Sequence, residues 1–197
     1  GASGGLGSAV MAELVRRGKK ARLFQRRSSK DPLPVGVDVA YGDLGDPEAV
    51  DRAVADASYV IHCGAAMKGS WVEHHCGTVL GTENVIRACL KHRVKKLVHI
   101  SSLSVVDHVG NAGRGPVDET AALEPRPLER GHYTRAKLEA EKLVAQAVRE
   151  QKLPAVILRP GQIFGGRIPV VTGAVGFHKA GRWVVLGDGR RVLPLVH

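Results

Sequence analysis

Strand-length apolar runs alternate along this chain with longer segments of helical period, and this alternation restricts the fold more than any other feature. The runs at 21–25, 37–41, 59–63, 97–101 and 155–159 read as strands. Between the strands, Leu6, Val10 and Leu14 recur at four-residue steps and Gly18 follows, which predicts an amphipathic helix over 4–17 with a glycine stop. The segments 48–56, 77–92 and 133–151 read as helices for the same reason. A chain that passes from strand to helix to strand in this way belongs to the α/β class, a parallel sheet covered on both faces by helices.

Such a fold needs a buried core, and 44% hydrophobic content over 197 residues supplies one for an ordinary domain, which excludes a disordered chain. No apolar run reaches the roughly 18 residues of a membrane span, and the first residues are glycine-rich rather than charged and then apolar, so no span and a cytoplasmic location are expected. Cys63, Cys76 and Cys89 are odd in number and lack CxxC spacing, which argues against a disulfide framework and a zinc ribbon. The net charge of +10 suits an anionic ligand, but 4% aromatic residues are too few for a base-stacking platform, so a small molecule is the expected partner rather than nucleic acid.

The segment 107–130 holds three prolines and three glycines without sustained period, which predicts a long functional loop. After Arg159 the texture changes to short apolar pieces around Gly165, Gly173, Gly181, Gly187 and Gly189, as at the start of a second lobe. A glycine-rich phosphate loop needs a strand feeding into it, yet Gly1 is already the first loop glycine. A central strand within roughly 5 to 12 preceding residues is therefore expected, with a continuation past His197 on the scale of a small domain.

Gly1-Ala2-Ser3-Gly4-Gly5-Leu6-Gly7 is a GxxGxxG loop opening into a helix, where backbone N–H groups can face a pyrophosphate. Just after the run at 37–41, the third strand once the expected preceding one is counted, Asp43-Leu44 brings a carboxylate that can reach an adenine amino group. Tyr133 and Lys137 stand four residues apart on one helix face. A free phenol has a pKa near 10, and a neighbouring ammonium stabilises the phenolate enough to make it a usable acid/base. Leu97-Val98-His99-Ile100-Ser101-Ser102 ends a strand in two hydroxyls, so sheet edge and helix start can present Ser, Tyr and Lys together.

In order and at matching intervals, GASGGLG, GDLGD, VIHCGAA, GTENVIRACLKHRVKKLVHISS, YTRAK, LRPGQIFG and LGDG resemble the landmarks of extended short-chain dehydrogenases/reductases over nearly the whole chain. The resemblance implies a Rossmann-like, doubly wound NAD(P)-binding domain over 1–165 and the beginning of a small C-terminal substrate lobe over 166–197. It implies Tyr133 as acid/base, Lys137 holding ribose and tuning Tyr133, and Ser102 rather than Ser101 hydrogen-bonding the reacting oxygen. Gly1, Ser3, Gly4, Gly5, Leu6, Asp43, Leu44 and Ala65 would line the dinucleotide, Pro160-Gly161 would flank the nicotinamide, and the long helices would form a homodimer.

Departures from the pattern refine this. Gln25 stands where NAD-using members carry a ribose-gripping acid and is followed by Arg26 and Arg27, so NADP(H) is favoured over NAD(H). Thr78 replaces the Asn common before the GT of the fourth helix. The diphosphate-clamping Arg of nucleotide-sugar epimerases and dehydratases falls on Leu193, with Arg190 and Arg191 nearby, which shifts weight towards relatives such as 3β-hydroxysteroid dehydrogenases and dihydroflavonol reductases. His74-His75-Cys76 point about 100° apart on a helix and do not make a metal site; Trp71 and Trp183 read as packing or lobe residues. The leading expectation is hydride transfer between nicotinamide and a secondary alcohol or ketone of a mostly apolar small molecule. A nucleotide-sugar epimerase or dehydratase, and a non-catalytic cofactor sensor or scaffold, remain the alternatives.

Overall fold

A computed structural model of the chain describes residues 1–26, 37–111, 115–166, 168, 176–185 and 194–197. Arg27, Gly173, Gly187, Gly189, Arg190, Arg191 and Leu193 lie outside them. The chain divides into two compact units, Gly1–Arg159 and Pro160–His197. The division falls upstream of residue 165, because β6 (Gln162–Ile163) takes its partner, β9 (Leu195–Val196), from within the second unit. That unit also contains an antiparallel hairpin of β7 (Gly176–Lys179) and β8 (Arg182–Val185).

The first unit is α/β with parallel strands throughout. Helix α1 (Gly5–Arg16) leads to β1 (Arg22–Gln25), which pairs in parallel with β2 (Asp38–Tyr41). A second parallel sheet has the order β3 (Tyr59–His62), β4 (Lys96–Ile100), β5 (Ala155–Leu158). Among the described residues β1 and β3 are not hydrogen-bonded neighbours, so the two sheets remain separate.

The main core lies on one face of β4. Leu97 is fully buried there among Val50 and Val54 of α2 (Pro47–Val54), Val85 and Cys89 of α4 (Gly81–Lys91), and Val144 and Ala147 of α5 (Gly131–Gln151). Local signals start two of the helices. Asp46 accepts hydrogen bonds from the N–H groups of Glu48 and Ala49, with Pro47 at the first helical position of α2. Ser70 and Glu73 form a capping box that opens α3 (Trp71–His74).

That box moves the start of the third helical segment from residue 77 to Trp71. The chain then runs through a π-helical stretch, His75–Leu80, directly into α4. A widened turn of this kind is uncommon and is found mostly at functional sites.

The long loop after β4 is tied down by a smaller core, in which Val105, Val106 and Leu138 pack with Leu103, Ala121 and Leu123. An isolated Val106–Leu123 bridge and a Glu124 N–H to Val105 C=O bond of 2.8 Å hold its two limbs together. Leu138→Ala is expected to destabilise the first unit by about 2–5 kcal/mol, the range for a buried leucine, as read by urea unfolding.

Candidate active site

The carboxyl ends of parallel strands are where α/β proteins assemble their sites. The glycine loop lies at the end of β3: a Cβ added to Gly1 would fall 2.3 Å from the Cys63 carbonyl carbon and 2.4 Å from the Gly64 nitrogen. Gly1–Gly4, including Ser3, form a turn closed by the Gly4 N–H on the Gly1 carbonyl at 3.1 Å. Gly5 and Leu6 then begin α1, whose N-cap is Gly4, with no side-chain cap and no acidic residue in the first turn. The first-turn N–H groups of a helix have no intrahelical partners, so this end is suited to an anion, whereas Asp46 and Ser70 occupy the corresponding places on α2 and α3.

Two further residues expected at a dinucleotide site, Arg26 and Asp43, lie within electrostatic reach of Gly1. Arg26 follows β1 and is exposed, while Gln25 before it is buried, its carbonyl accepting the Gly42 N–H at 3.1 Å. Asp43 Oδ1 accepts the Gly45 N–H at 2.9 Å, and the Leu44 carbonyl is held by Asn84 Nδ2 at 2.8 Å. Ala65 is partly buried just past β3, and its neighbour Ala66 donates its N–H to Thr78 Oγ1 at 2.9 Å. Thr78 therefore lies inside the π-helical stretch and supports the β3 loop rather than capping a helix. Pro160 and Gly161 open the second unit, where the Gln162 N–H donates to the Pro194 carbonyl at 2.7 Å.

The end of β4 meets α5 through three consecutive residues. Lys137 Nζ donates to the Ile100 carbonyl at 2.6 Å, Ser101 Oγ donates to Glu141 at 2.5 Å, and the Ser102 hydroxyl lies near enough to the Tyr133 phenol to favour its ionised form. Ser101 and Ser102 thus face different groups, Ser101 the Glu141 carboxylate and Ser102 the Tyr133 phenol. Burial raises Tyr133 above its ordinary value of 10, and the nearby Ser102 hydroxyl works in the opposite direction. Burial also lowers the Lys137 ammonium to about 8, opposed by Cys63 and Glu141. The shift of the phenol is opposite to that expected from a neighbouring ammonium, since desolvation outweighs the favourable contacts and Lys137 is engaged with a carbonyl.

The His62–His99 pair at this place is not singled out by the sequence, whereas His74 is read there as no part of a metal site and Trp71 as a packing or lobe residue. His74 is buried and packs edge-on to Tyr133, with ring centroids 6.5 Å apart and planes at 78°. Trp71 stacks under the Arg135 guanidinium at 3.4 Å. His62 and His99 are paired across β3 and β4 with centroids 5.4 Å apart, both buried. His62 Nε2 bonds Thr82 Oγ1 at 3.0 Å, and Thr82 donates to the Thr78 carbonyl. Burial, and then the Lys137 charge, lower His99 to about 3, and burial lowers His62 well below 6.5.

Both imidazoles are therefore neutral in the fold and take up protons more readily once unfolded. Stability should be full above pH 6.5 and fall as the pH drops towards about 3, by about 1.4 kcal/mol per pH unit for each imidazole. Urea unfolding of His99→Leu between pH 7.5 and 5 should give a shallower pH slope than the parent; an equal slope would contradict it.

The whole chain, residues 1–197, matches the model of the NAD dependent epimerase/dehydratase family. The chain belongs to that family. It is 35% identical over 196 residues to a 2-alkyl-3-oxoalkanoate reductase of Stenotrophomonas maltophilia (strain K279a), covering 96% of this chain and 57% of the relative. It is 31% identical to a 4-hydroxy-2-methyl-3-oxo-4-farnesyl-3,4-dihydroquinoline-1-oxide ketoreductase of Stigmatella aurantiaca, covering 98% and 58%. Among solved structures it is similar to a Thermus thermophilus UDP-glucose 4-epimerase in complex with NAD, with 25% identity, a TM-score of 0.71, and coverage of 85% and 55%. The chain spans little more than half the length of these proteins. Its fold is accordingly Rossmann-like, in agreement with the parallel strands described above. Among the described residues no helix is long and apolar enough to cross a membrane.

Proposed function

We propose that the protein is an NAD(P)-dependent reductase that converts a ketone on a small, mostly apolar molecule to a secondary alcohol, with Tyr133 as the proton donor. The observation that carries this reading is the convergence of the Ser102 hydroxyl and the Tyr133 phenol at the end of β4, with the buried Lys137 four residues behind on the same helix and bonded to the Ile100 carbonyl. A phenol raised above 10 is fully protonated at neutral pH, which equips it as a general acid. Bound nicotinamide supplies the hydride. Ser102 holds the carbonyl oxygen, Tyr133 gives its O–H proton to that oxygen as the carbon is reduced, and Lys137 stabilises the phenolate left behind. Oxidation of the alcohol uses the same groups in reverse.

The uncapped start of α1 and the glycine turn fit a pyrophosphate, with Gly1, Ser3, Gly4, Gly5 and Leu6 against it. Asp43 and Leu44 would meet the adenine, Ala65 the adjoining ribose, Lys137 the nicotinamide ribose, and Pro160-Gly161 the nicotinamide. The names of the two curated relatives, both oxo-group reductases, support a 3-oxoalkanoate or similar ketone as substrate class. The solved epimerase favours a second reading, a transient redox step that returns the cofactor unchanged. Incubating the full-length protein with NADPH and a 2-alkyl-3-oxoalkanoate, and separately with NAD+ and a nucleotide sugar, separates the two: net loss of NADPH absorbance in the first supports the reductase, and its absence there together with epimerised or dehydrated sugar in the second supports the other.

NADPH is the expected cofactor because Arg26 can pair with a 2′-phosphate and Gln25 offers no carboxylate to repel it. Arg26→Ala should narrow the NADPH over NADH preference by about 1.5–3 kcal/mol, the usual size of a charge-assisted contact. An unchanged ratio of dissociation constants would remove Arg26 from the site.

A further inference from the structure

Behind the Ser102, Tyr133 and Lys137 side chains lies a buried charged cluster for which the chemistry above gives no role. Tyr133, Lys137 and Glu141 follow one another at four-residue steps on α5, so they share a face. Glu141 is only 2% exposed. Its carboxylate accepts from Arg159 Nη2 at 2.8 Å and Nε at 3.1 Å, and from Ser101 Oγ at 2.5 Å. Arg159 follows directly on β5, and the Ser101 N–H is bonded to the Leu158 carbonyl at 2.7 Å. One carboxylate therefore joins α5 to the ends of both β4 and β5.

Burying a charge is costly, and a well-packed apolar pair of the same size is often as stable as a buried ion pair. Stability is thus a weak reason for an ion pair here, one turn from Lys137. Its neighbours suggest another. Ser101 lies between Ile100, whose carbonyl takes the Lys137 hydrogen bond, and Ser102, whose hydroxyl lies near the Tyr133 phenol. Moving Ser101 moves both.

We propose that Glu141, clamped by Arg159, is a positioning residue for the reaction, fixing the end of β4 against α5 and keeping the Lys137 side chain charged beside Tyr133. The inference rests on the reading of Lys137 and Tyr133 given above. The groups facing Lys137 are Cys63 and His62 from the β3 side, His99 and the Ile100 carbonyl from β4, and Tyr133 and Glu141 from α5. Both histidines are neutral and burial raises the Cys63 thiol above its ordinary value, so the carboxylate paired with Arg159 is the anionic partner among them. It works against the burial that brings Lys137 down to about 8, and Arg159 moderates it.

The test follows Lys137 itself and needs neither substrate nor cofactor. In the full-length protein labelled with 13C-lysine, the Lys137 Cε resonance, assigned by its loss in Lys137→Arg, is titrated by NMR. Glu141→Gln keeps size and hydrogen bonding but removes the charge, and should lower the midpoint by about one pH unit. Arg159→Met should move it upwards by a similar amount, Arg159→Lys should restore the parent value, and Glu141→Gln with Arg159→Met should return close to it. Opposite shifts from the two single variants are not produced by loosened packing alone. Unchanged midpoints, or shifts in one direction, would overturn the proposal, and Arg159→Met decides it if the Gln variant does not fold. Because turnover of Tyr133→Phe tests the acid/base reading separately, failure of either is distinguishable from failure of the other.

Discussion

Tyr133→Phe is expected to lower turnover by about a hundredfold or more while leaving fold and cofactor affinity nearly intact. The hydroxyl is the only group removed, and it is the group whose ionisation the nearby Ser102 favours. The ring remains, with its edge-on packing against His74, so the start of α5 has no cavity to collapse into. Lys137 keeps its bond to the Ile100 carbonyl, and with it the position proposed for holding a ribose hydroxyl. The losses should therefore be confined to proton transfer: kcat falls, and the dissociation constant for NADPH moves little. Lys137→Met should act differently, weakening cofactor binding together with turnover, because its ammonium serves both. Steady-state kinetics with a 2-alkyl-3-oxoalkanoate and fluorescence titration of NADPH measure these effects. Near-normal turnover in Tyr133→Phe would assign the proton to water or another hydroxyl, and the site assignment would fall with it.

The second large effect is expected at Gly7. A methyl group there would lie 2.1 Å from the Gly1 oxygen and 2.7 Å from the Ala2 Cα, both backbone atoms that cannot swing aside. Gly7→Ala must therefore push the first turn of α1 away from the glycine loop, at a cost of about 1–3 kcal/mol for overpacking. Displacing the loop also displaces the N–H groups suited to a pyrophosphate, so NADPH affinity should drop by at least about tenfold, one lost charge-assisted hydrogen bond or more. Gly4→Ala is the control. Its added Cβ comes only to 3.3 Å from the Gly1 oxygen, so a small adjustment suffices and both effects should be much weaker. Urea unfolding and cofactor titration of the two variants give the comparison; equal affinities would show that this loop does not hold the dinucleotide.

These expectations differ in how far the sequence reaches towards them. The four-residue step from Tyr133 to Lys137 is a property of any helix, so their shared face is legible without coordinates. The same step continues to Glu141, and Ser70 with Glu73 spells a capping box, so two signals in the chain were passed over. The apolar period of this helix is clear only from residue 77, whereas its cap is written in polar residues.

Hydrophobic period and turn chemistry determined the α/β class, the five strands of the first unit to within a residue, and the shared face of Tyr133 and Lys137, because each depends on neighbours a few positions away. The preference for Ser102 over Ser101 came from the family resemblance. Only the tertiary structure decided what surrounds those groups. Ser101 meets Glu141 across 40 positions, and Arg159 meets it from another strand across 18. The raised Tyr133 phenol, the lowered Lys137 ammonium and the neutral His62–His99 pair likewise follow from burial between strands and helices far apart in sequence. Desolvation depends on every atom that excludes water from a group, and most of those atoms come from elsewhere in the chain.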